Sequence, residues 1–219
     1  MRPKLRILAI VEGHGEQTAV PVLLRRWFQH RGFRDFETPD LAIRAPGSGA
    51  LKCPHVADDE LGIEYYVEMA ARERPDGILV MLDADDECLK PRTPTYRGLG
   101  PELLKRAQAV ARHIPIEVVV ANREYEVWFL ASLASLRRAA LIPRGGRLPT
   151  PLSEIETIRD CKKRMTQLLG RPYEETTDQS EFTEKLSFAP AMERRSRSYR
   201  KLIKALNALT HAARANKRR

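Results

Sequence analysis

The sequence has no run approaching the roughly 20 apolar residues that a membrane-spanning helix needs, and no membrane association is expected of it. Its three cysteines, Cys53, Cys88 and Cys161, are odd in number and widely spaced, which argues against a disulfide scaffold. Cys53-Pro54-His55 with the distant Cys88 reproduces no zinc-ligand spacing, so structural zinc is rejected as well. The basic start Met1-Arg2-Pro3-Lys4 precedes an apolar stretch that contains Arg6 and is too short for a secretory signal. There is no internal repeat and no long low-complexity segment. What is present is 42% hydrophobic residues in a chain of 219, enough for a real core and against wholesale disorder. The length suits one substantial domain with an appendage, and the expected compartment is the cytoplasm.

Charge is abundant but uneven. The chain has 38 Lys and Arg against 29 Asp and Glu, a formal charge of +9. From Glu193 onward stand ten basic residues: Arg194, Arg195, Arg197, Arg200, Lys201, Lys204, Arg214, Lys217, Arg218 and Arg219. Glu193 is the one acid there, so residues 1–192 carry 28 of each sign. A basic surplus of this kind attracts polyanions, although a solvated end such as Lys217-Arg218-Arg219 also serves solubility alone.

Residues 1–122 alternate strand and helix patterns. Residues 5–11 (LRILAIV) form a nearly continuous run rich in branched residues, as expected for a strand covered on both faces. Residues 17–31 follow with Val20, Leu23, Leu24, Trp27 and Phe28 at helical spacing, with Pro21 expected in the first turn. A short second strand is predicted over residues 40–44 and a loop over 45–58. A helix over 59–74 is ended by Pro75-Asp76-Gly77. Residues 78–82 (ILVML) predict the third strand, 101–113 a helix with Pro101 in its first turn, and 116–121 (IEVVVA) the fourth strand. This order predicts a four-stranded parallel sheet with helices on both faces. Beyond it the pattern is mainly helical. One amphipathic helix is predicted over 124–140, a linker over 141–151, and helices over 153–169 and 195–215, with a polar stretch (DQSEFTEKL, 178–186) between these last two. The boundaries that follow are an α/β domain over 1–140 and a helical extension with a basic tail over 141–219.

In open parallel sheets ligands collect beyond the carboxyl ends of the strands. Glu12 follows the first strand directly, and Asp83 and Asp85 follow the third; two residues apart on extended chain, they point the same way. Gathered carboxylates repel one another, and a divalent ion such as Mg²⁺, which prefers oxygen ligands, is the natural compensation. Glu16 lies four residues after Glu12, at the start of the first helix. Gly13 and Gly15 let the backbone turn there, but Gly13-His14-Gly15 lacks the Lys-Ser/Thr ending of a P-loop and the third glycine of a dinucleotide fingerprint.

Ile10-Val11-Glu12-Gly13 and Leu82-Asp83-Ala84-Asp85 together resemble the Toprim domain, the metal-binding fold of topoisomerases, bacterial-type primases, recombination-repair proteins and the OLD-type nucleases. The resemblance covers roughly residues 4–122. The spacing of Glu12 and Glu16 is most similar to the OLD-type nucleases. The stretch 121–130 (ANREYEVWFL) is similar to small stand-alone Toprim-like proteins, some of them encoded beside an ATPase in phage-defence loci. The resemblance implies phosphodiester hydrolysis with one or two Mg²⁺ or Mn²⁺ ions, with Asp83, Asp85, Glu12 and Glu16 as ligands. Glu12, Asp83 and Asp85 are then the catalytic acids, Glu12 being either a ligand or a general acid or base. It also implies nucleic acid, DNA before RNA, as the partner, with an ATPase and a second copy of the chain as further partners.

Secondary candidates are His14, Asp86, Glu87, Glu126 and Lys185. His14 could touch a phosphate or carry a proton, or be a plain turn residue. Asp86 is expected to point away from Asp85. Glu124 is expected to cap the next helix, and Glu126 to face the acids or anchor a loop. Lys185 is either the positive charge near a scissile phosphate or an ordinary surface lysine. Trp128 and Phe129 are expected in the core. Arg194, Arg195, Arg197, Arg200, Lys201 and Lys204 are the expected holders of phosphate backbone. Two other readings stand beside the nuclease: a non-catalytic Toprim-like module that binds nucleic acid or docks on an ATPase, and a small-molecule phosphohydrolase. The latter class places Asp-x-Asp after its first strand, where this chain has Glu12.

Overall fold

The computed structural model describes residues 4–53, 62–84, 98–145 and 152–217. Five parallel strands form one sheet: β1 (Leu5–Val11), β2 (Phe36–Glu37), β3 (Ile43–Arg44), β4 (Gly77–Asp83) and β5 (Ile116–Ala121), in the order β2-β1-β4-β5, with β3 also on β1. Where the sequence predicts one short second strand, two short pieces share a single edge. Phe36–Glu37 pairs with the start of β1, and Ile43–Arg44 with its end.

Residue parity sorts the strands between two cores. Ile7, Ala9 and Val11 of β1, Leu79 and Met81 of β4, and Val119 and Ala121 of β5 face one side. Leu8 and Ile10, Ile78, Val80 and Leu82, and Val118 and Val120 face the other. The second side is covered by α3 (Ile63–Arg72) and α4 (Leu99–Val110), and α2 (Ser48–Lys52) lies in a segment expected to be loop. The first is covered by α1 (His14–His30) together with the C-terminal helices, so residues beyond 141 share a core with the strands.

Helix α1 starts three residues before its predicted start, which puts Pro21 at its eighth position instead of the first turn. An interior proline removes an i→i−4 hydrogen bond and costs about 3 kcal/mol or more. Here the carbonyl it leaves without a donor, that of Gln17, accepts from the Ala42 amide at 2.8 Å, on the approach to β3. The proline thus creates the acceptor that ties down the edge strand.

The single helix expected over 124–140 is two, α5 (Val127–Ala131) and α6 (Leu133–Arg138), broken at buried Ser132, whose hydroxyl accepts from the Ser187 amide at 2.9 Å. All five residues of α5 are buried, Trp128 and Phe129 among them, as expected for core residues. The helix expected over 153–169 divides into a 3-10 turn (Leu152–Thr157) and α7 (Cys161–Leu169), with Asp160 left-handed between them. The polar stretch around 178–186 proves to contain a helix, α8 (Glu175–Glu184), lying along α1. Its buried residues Gln179, Phe182 and Thr183, with Leu186 just beyond, recur at helical spacing.

The helix predicted over 195–215 is α10 (Arg197–Asn216); a short unpredicted helix, α9 (Pro190–Arg195), precedes it, and between them stands Ser196, whose hydroxyl caps α10 through the Tyr199 amide at 2.9 Å. α10 packs on β4 and β5. Among the described residues no helix is long and apolar enough to cross a membrane.

Candidate active site

β1 and β4 are adjacent and parallel, so their carboxyl ends bring Glu12 and Asp83 together. The Asp83 amide donates to Glu12 Oε1 at 2.7 Å, which fixes one glutamate oxygen to the end of the neighbouring strand. Asp83 is the last residue of β4 and shares the parity of Leu79 and Met81, toward the α1 side of the sheet. Both acids are buried, and so is Glu16 in the first turn of α1.

Gly13 and Gly15 have a different reason from the one expected. Neither has positive φ; their role is close approach. A Cβ on Gly13 would lie 1.9 Å from Glu16 Oε2, and one on Gly15 would lie 1.9 Å from Gln179 Oε1 and 2.8 Å from the Glu175 carbonyl. The glycines let the Glu16 carboxylate fold back over the strand end and let α8 sit directly on the first turn of α1. His14, between them, is exposed.

A fourth acid completes the group. Glu126, at the start of α5, is fully buried; its Oε1 accepts from the Tyr173 hydroxyl at 2.9 Å and from Gln179 Nε2 at 3.3 Å. Gln179 Nε2 also donates to Glu16 Oε1 at 3.1 Å, so one side-chain amide bridges two carboxylates. Burial pushes the Glu126 carboxyl up to about 8, against the opposing pull of Lys162 and with the repulsion of Glu16. Burial, then Glu16, Glu126 and Glu12, raise Asp83 well above the usual carboxylate range, and Lys162 again opposes.

Among the described residues, Lys162 is the cation that opposes the shifts of Asp83 and Glu126. Burial works against its charge, but Glu126, an ion pair with Glu175 at 2.8 Å, and Asp83 hold the ammonium above its ordinary value. Its backbone amide donates to Glu124 Oε2 at 3.2 Å, so Glu124 caps the start of α7 and not the helix that follows it in sequence. Cys161 is buried beside the group, and burial together with Glu124, Glu126 and Asp83 pushes its thiol up, leaving it a poor nucleophile.

Of the residues picked out by sequence, the fold assembles Glu12, Glu16, Asp83 and Glu126. Lys185 is exposed at the C-terminal end of α8, six residues beyond Gln179, as an ordinary surface lysine would be, whereas Lys162 faces Asp83 and Glu126. Asp85, Asp86, Glu87, Cys88 and His55 lie outside the described residues. Sequence reasoning missed Lys162, Tyr173 and Gln179. The available signal was the spacing of Gln179, Phe182, Thr183 and Leu186, hidden by the polarity of half of its members. Of the basic residues, Arg194, Arg197, Arg200, Lys201 and Lys204 are exposed. Arg195 is partly committed, its guanidinium donating to the Ala131 carbonyl at 2.9 Å, and Lys201 lies 3.8 Å from Glu117.

The donor chemistry suits a hard cation. Glu16 Oε2, Glu126 Oε2 and Gln179 Oε1 are buried oxygens without a hydrogen bond among the described residues, in a neighbourhood whose carboxyls repel one another. Among those residues no group of three or more His, Cys, Asp or Glu is already gathered as a ligand set. Divalent ions therefore find suitable oxygens here but not a preformed cage.

A family model described as a domain of unknown function, DUF4276, matches residues 11–207. The chain belongs to the DUF4276 family. The DUF4276 match runs from the end of β1 into α10, so Glu12, Glu16, Asp83, Glu126, Lys162, Tyr173 and Gln179 all lie within it. No curated protein and no solved structure matches the chain.

Proposed function

We propose that the acid group at the carboxyl ends of β1 and β4 is the active site of a Mg²⁺- or Mn²⁺-dependent nuclease. The observation that carries this reading is the gathering of four buried acids, Glu12, Glu16, Asp83 and Glu126, about the ends of β1 and β4, with Lys162 facing two of them, Asp83 and Glu126. Such a group is costly for the fold, and two of its members, Asp83 and Glu126, are raised in their titration, as residues of functional sites commonly are. Glu12, Glu16 and Asp83, with Asp85, would hold the metal, and Glu126 stands beside them. When bound, the metal would supply Lewis-acid polarisation of a phosphodiester and neutralise charge on its oxygens.

The remaining residues have separate tasks. The Asp83 amide orients Glu12. Glu126, with its carboxyl near 8, holds a proton at neutral pH and is oriented by Tyr173 and Gln179. Lys162, its ammonium held charged beside Glu126 and Asp83, would offer positive charge to an incoming phosphate. Arg197, Arg200, Lys201 and Lys204, exposed on α10, would hold nucleic-acid backbone by counterion release.

The test is cleavage of plasmid, linear and single-stranded DNA, and of RNA, with Mg²⁺ or Mn²⁺, beside Asp83→Ala and Glu12→Ala. Metal-dependent cleavage lost in both variants is expected. Cleavage that survives both sinks the site. A wild type silent by itself calls for the same assay with an ATPase encoded beside it, the partner we propose for work in phage defence or DNA processing.

A further inference from the structure

The opposite end of α1 borders a second cavity. Glu16 and Trp27 are eleven residues apart on α1, about 16 Å along the axis at 1.5 Å per residue. There the C-terminal turns of α1 and α10 enclose a groove of about 470 Å³, with Trp27, Arg31, Phe33, Thr210, His211 and Arg214 on its walls. That volume is in the range of small-molecule sites, roughly 300–1,000 Å³. It exceeds what a bare phosphate fills.

The walls combine two chemistries. Arg31 lies over the Trp27 ring at 5.6 Å and Arg214 over the Phe33 ring at 4.8 Å. Each guanidinium is thus seated on an aromatic face, which limits its freedom and leaves its N–H edge to meet an anion. Among the described residues neither arginine pairs with an acid, and no acid lines the groove. His211 adds a third basic side chain. Trp27 is 3% exposed, and its indole N–H is a buried donor with no acceptor among the described residues. Leaving such a donor unsatisfied costs stability that a bound oxygen would restore.

We propose that this groove binds a free mononucleotide-sized phosphomonoester, its phosphate between Arg31 and Arg214 and its organic part in the remaining volume of the groove. Two guanidiniums seated on aromatic rings suit a dianionic phosphate, and the volume left beyond the phosphate suits the remainder of the ligand. The site is separate from the acid group and does not depend on the nuclease reading.

The probes are AMP, inorganic phosphate and a 5′-phosphorylated hexanucleotide, titrated by calorimetry and by quenching of the intrinsic fluorescence of Trp27 and Trp128. AMP is expected to bind about tenfold or more tightly than inorganic phosphate. Arg31→Gln with Arg214→Gln is expected to weaken it by about tenfold or more, with the circular-dichroism melt unchanged within a few degrees. Asp83→Asn should leave AMP binding intact. The proposal is overturned by no AMP binding at millimolar concentration, by binding unchanged in the double variant, or by equal affinity for AMP and inorganic phosphate. Tighter binding of the hexanucleotide than of AMP overturns the free nucleotide as occupant. Loss of binding in Asp83→Asn places the ligand at the acid group instead and also overturns it.

Discussion

Replacing Glu126 with glutamine should change how the stability of the chain depends on pH. In the folded chain this carboxyl keeps its proton to about pH 8, against an ordinary 4.5. The folded state therefore binds more protons than the unfolded state between those two values. Stability that is fully present below about pH 4.5 is lost as pH rises toward 8, and the loss then levels off. At 1.36 kcal/mol per unit, the difference amounts to roughly 5 kcal/mol. Asp83, raised in the same direction, falls within the same coupled titration. Glutamine retains an oxygen for the Tyr173 and Gln179 donors but never ionises, and it adds an N–H₂ where Glu126 Oε2 has no partner. That added donor costs about 1–2 kcal/mol. Glu126→Gln should therefore be the less stable chain at pH 5, by up to about 1 kcal/mol because the wild type has by then lost about 1 kcal/mol, and the more stable at pH 8.5 by about 3 kcal/mol. Urea unfolding at pH 5, 7 and 8.5 measures this. EDTA is needed throughout, because a divalent ion would favour the ionised folded state. Two parallel stability curves, with no crossing between pH 5 and 8.5, would refute the reasoning and show that Glu126 titrates as an exposed carboxylate does.

Three further outcomes follow from the same geometry. Gly15→Ala should lower stability by about 1–3 kcal/mol, because its Cβ meets Gln179 Oε1 and the Glu175 carbonyl, and the backbone carbonyl is not free to swing away; an unchanged melting temperature would contradict the contact. Mn²⁺ or Mg²⁺ at about 100 times its Kd should stabilise the wild type by about 2.7 kcal/mol; a thermal-shift assay should show the effect disappear in Asp83→Ala. Replacing Arg197, Arg200, Lys201 and Lys204 together by glutamine should reduce the salt slope of DNA binding by about 3–4 units; a slope equal to that of the wild type would place the DNA elsewhere.

Much of the α/β part was legible because strands buried on both faces leave a plain mark. Residues 116–121 match β5 throughout, and 78–82 need one residue at each end to become β4. Edge strands were harder to read. Phe36–Glu37 makes only two register pairs with β1 and carries no alternation long enough to show. The C-terminal helices were misdrawn for a related reason: α5 is buried all round, so it has no polar face to mark its period, while α8 buries Asp178, Gln179 and Thr183 and so hides its own.

The sequence by itself determined the alternation of strands and helices, and with it the sheet edge at which Glu12 and Asp83 had to emerge. Strand parity depends on local residue order, and the alternation of strands with crossover helices implies parallel pairing. Tertiary structure decided what meets those acids. Gln179 and Tyr173 reach Glu126 across 53 and 47 residues of chain, and Lys162 faces it from α7. Their effect on Glu126 and Asp83 comes from burial and charge at close range, quantities that exist only once the chain has folded.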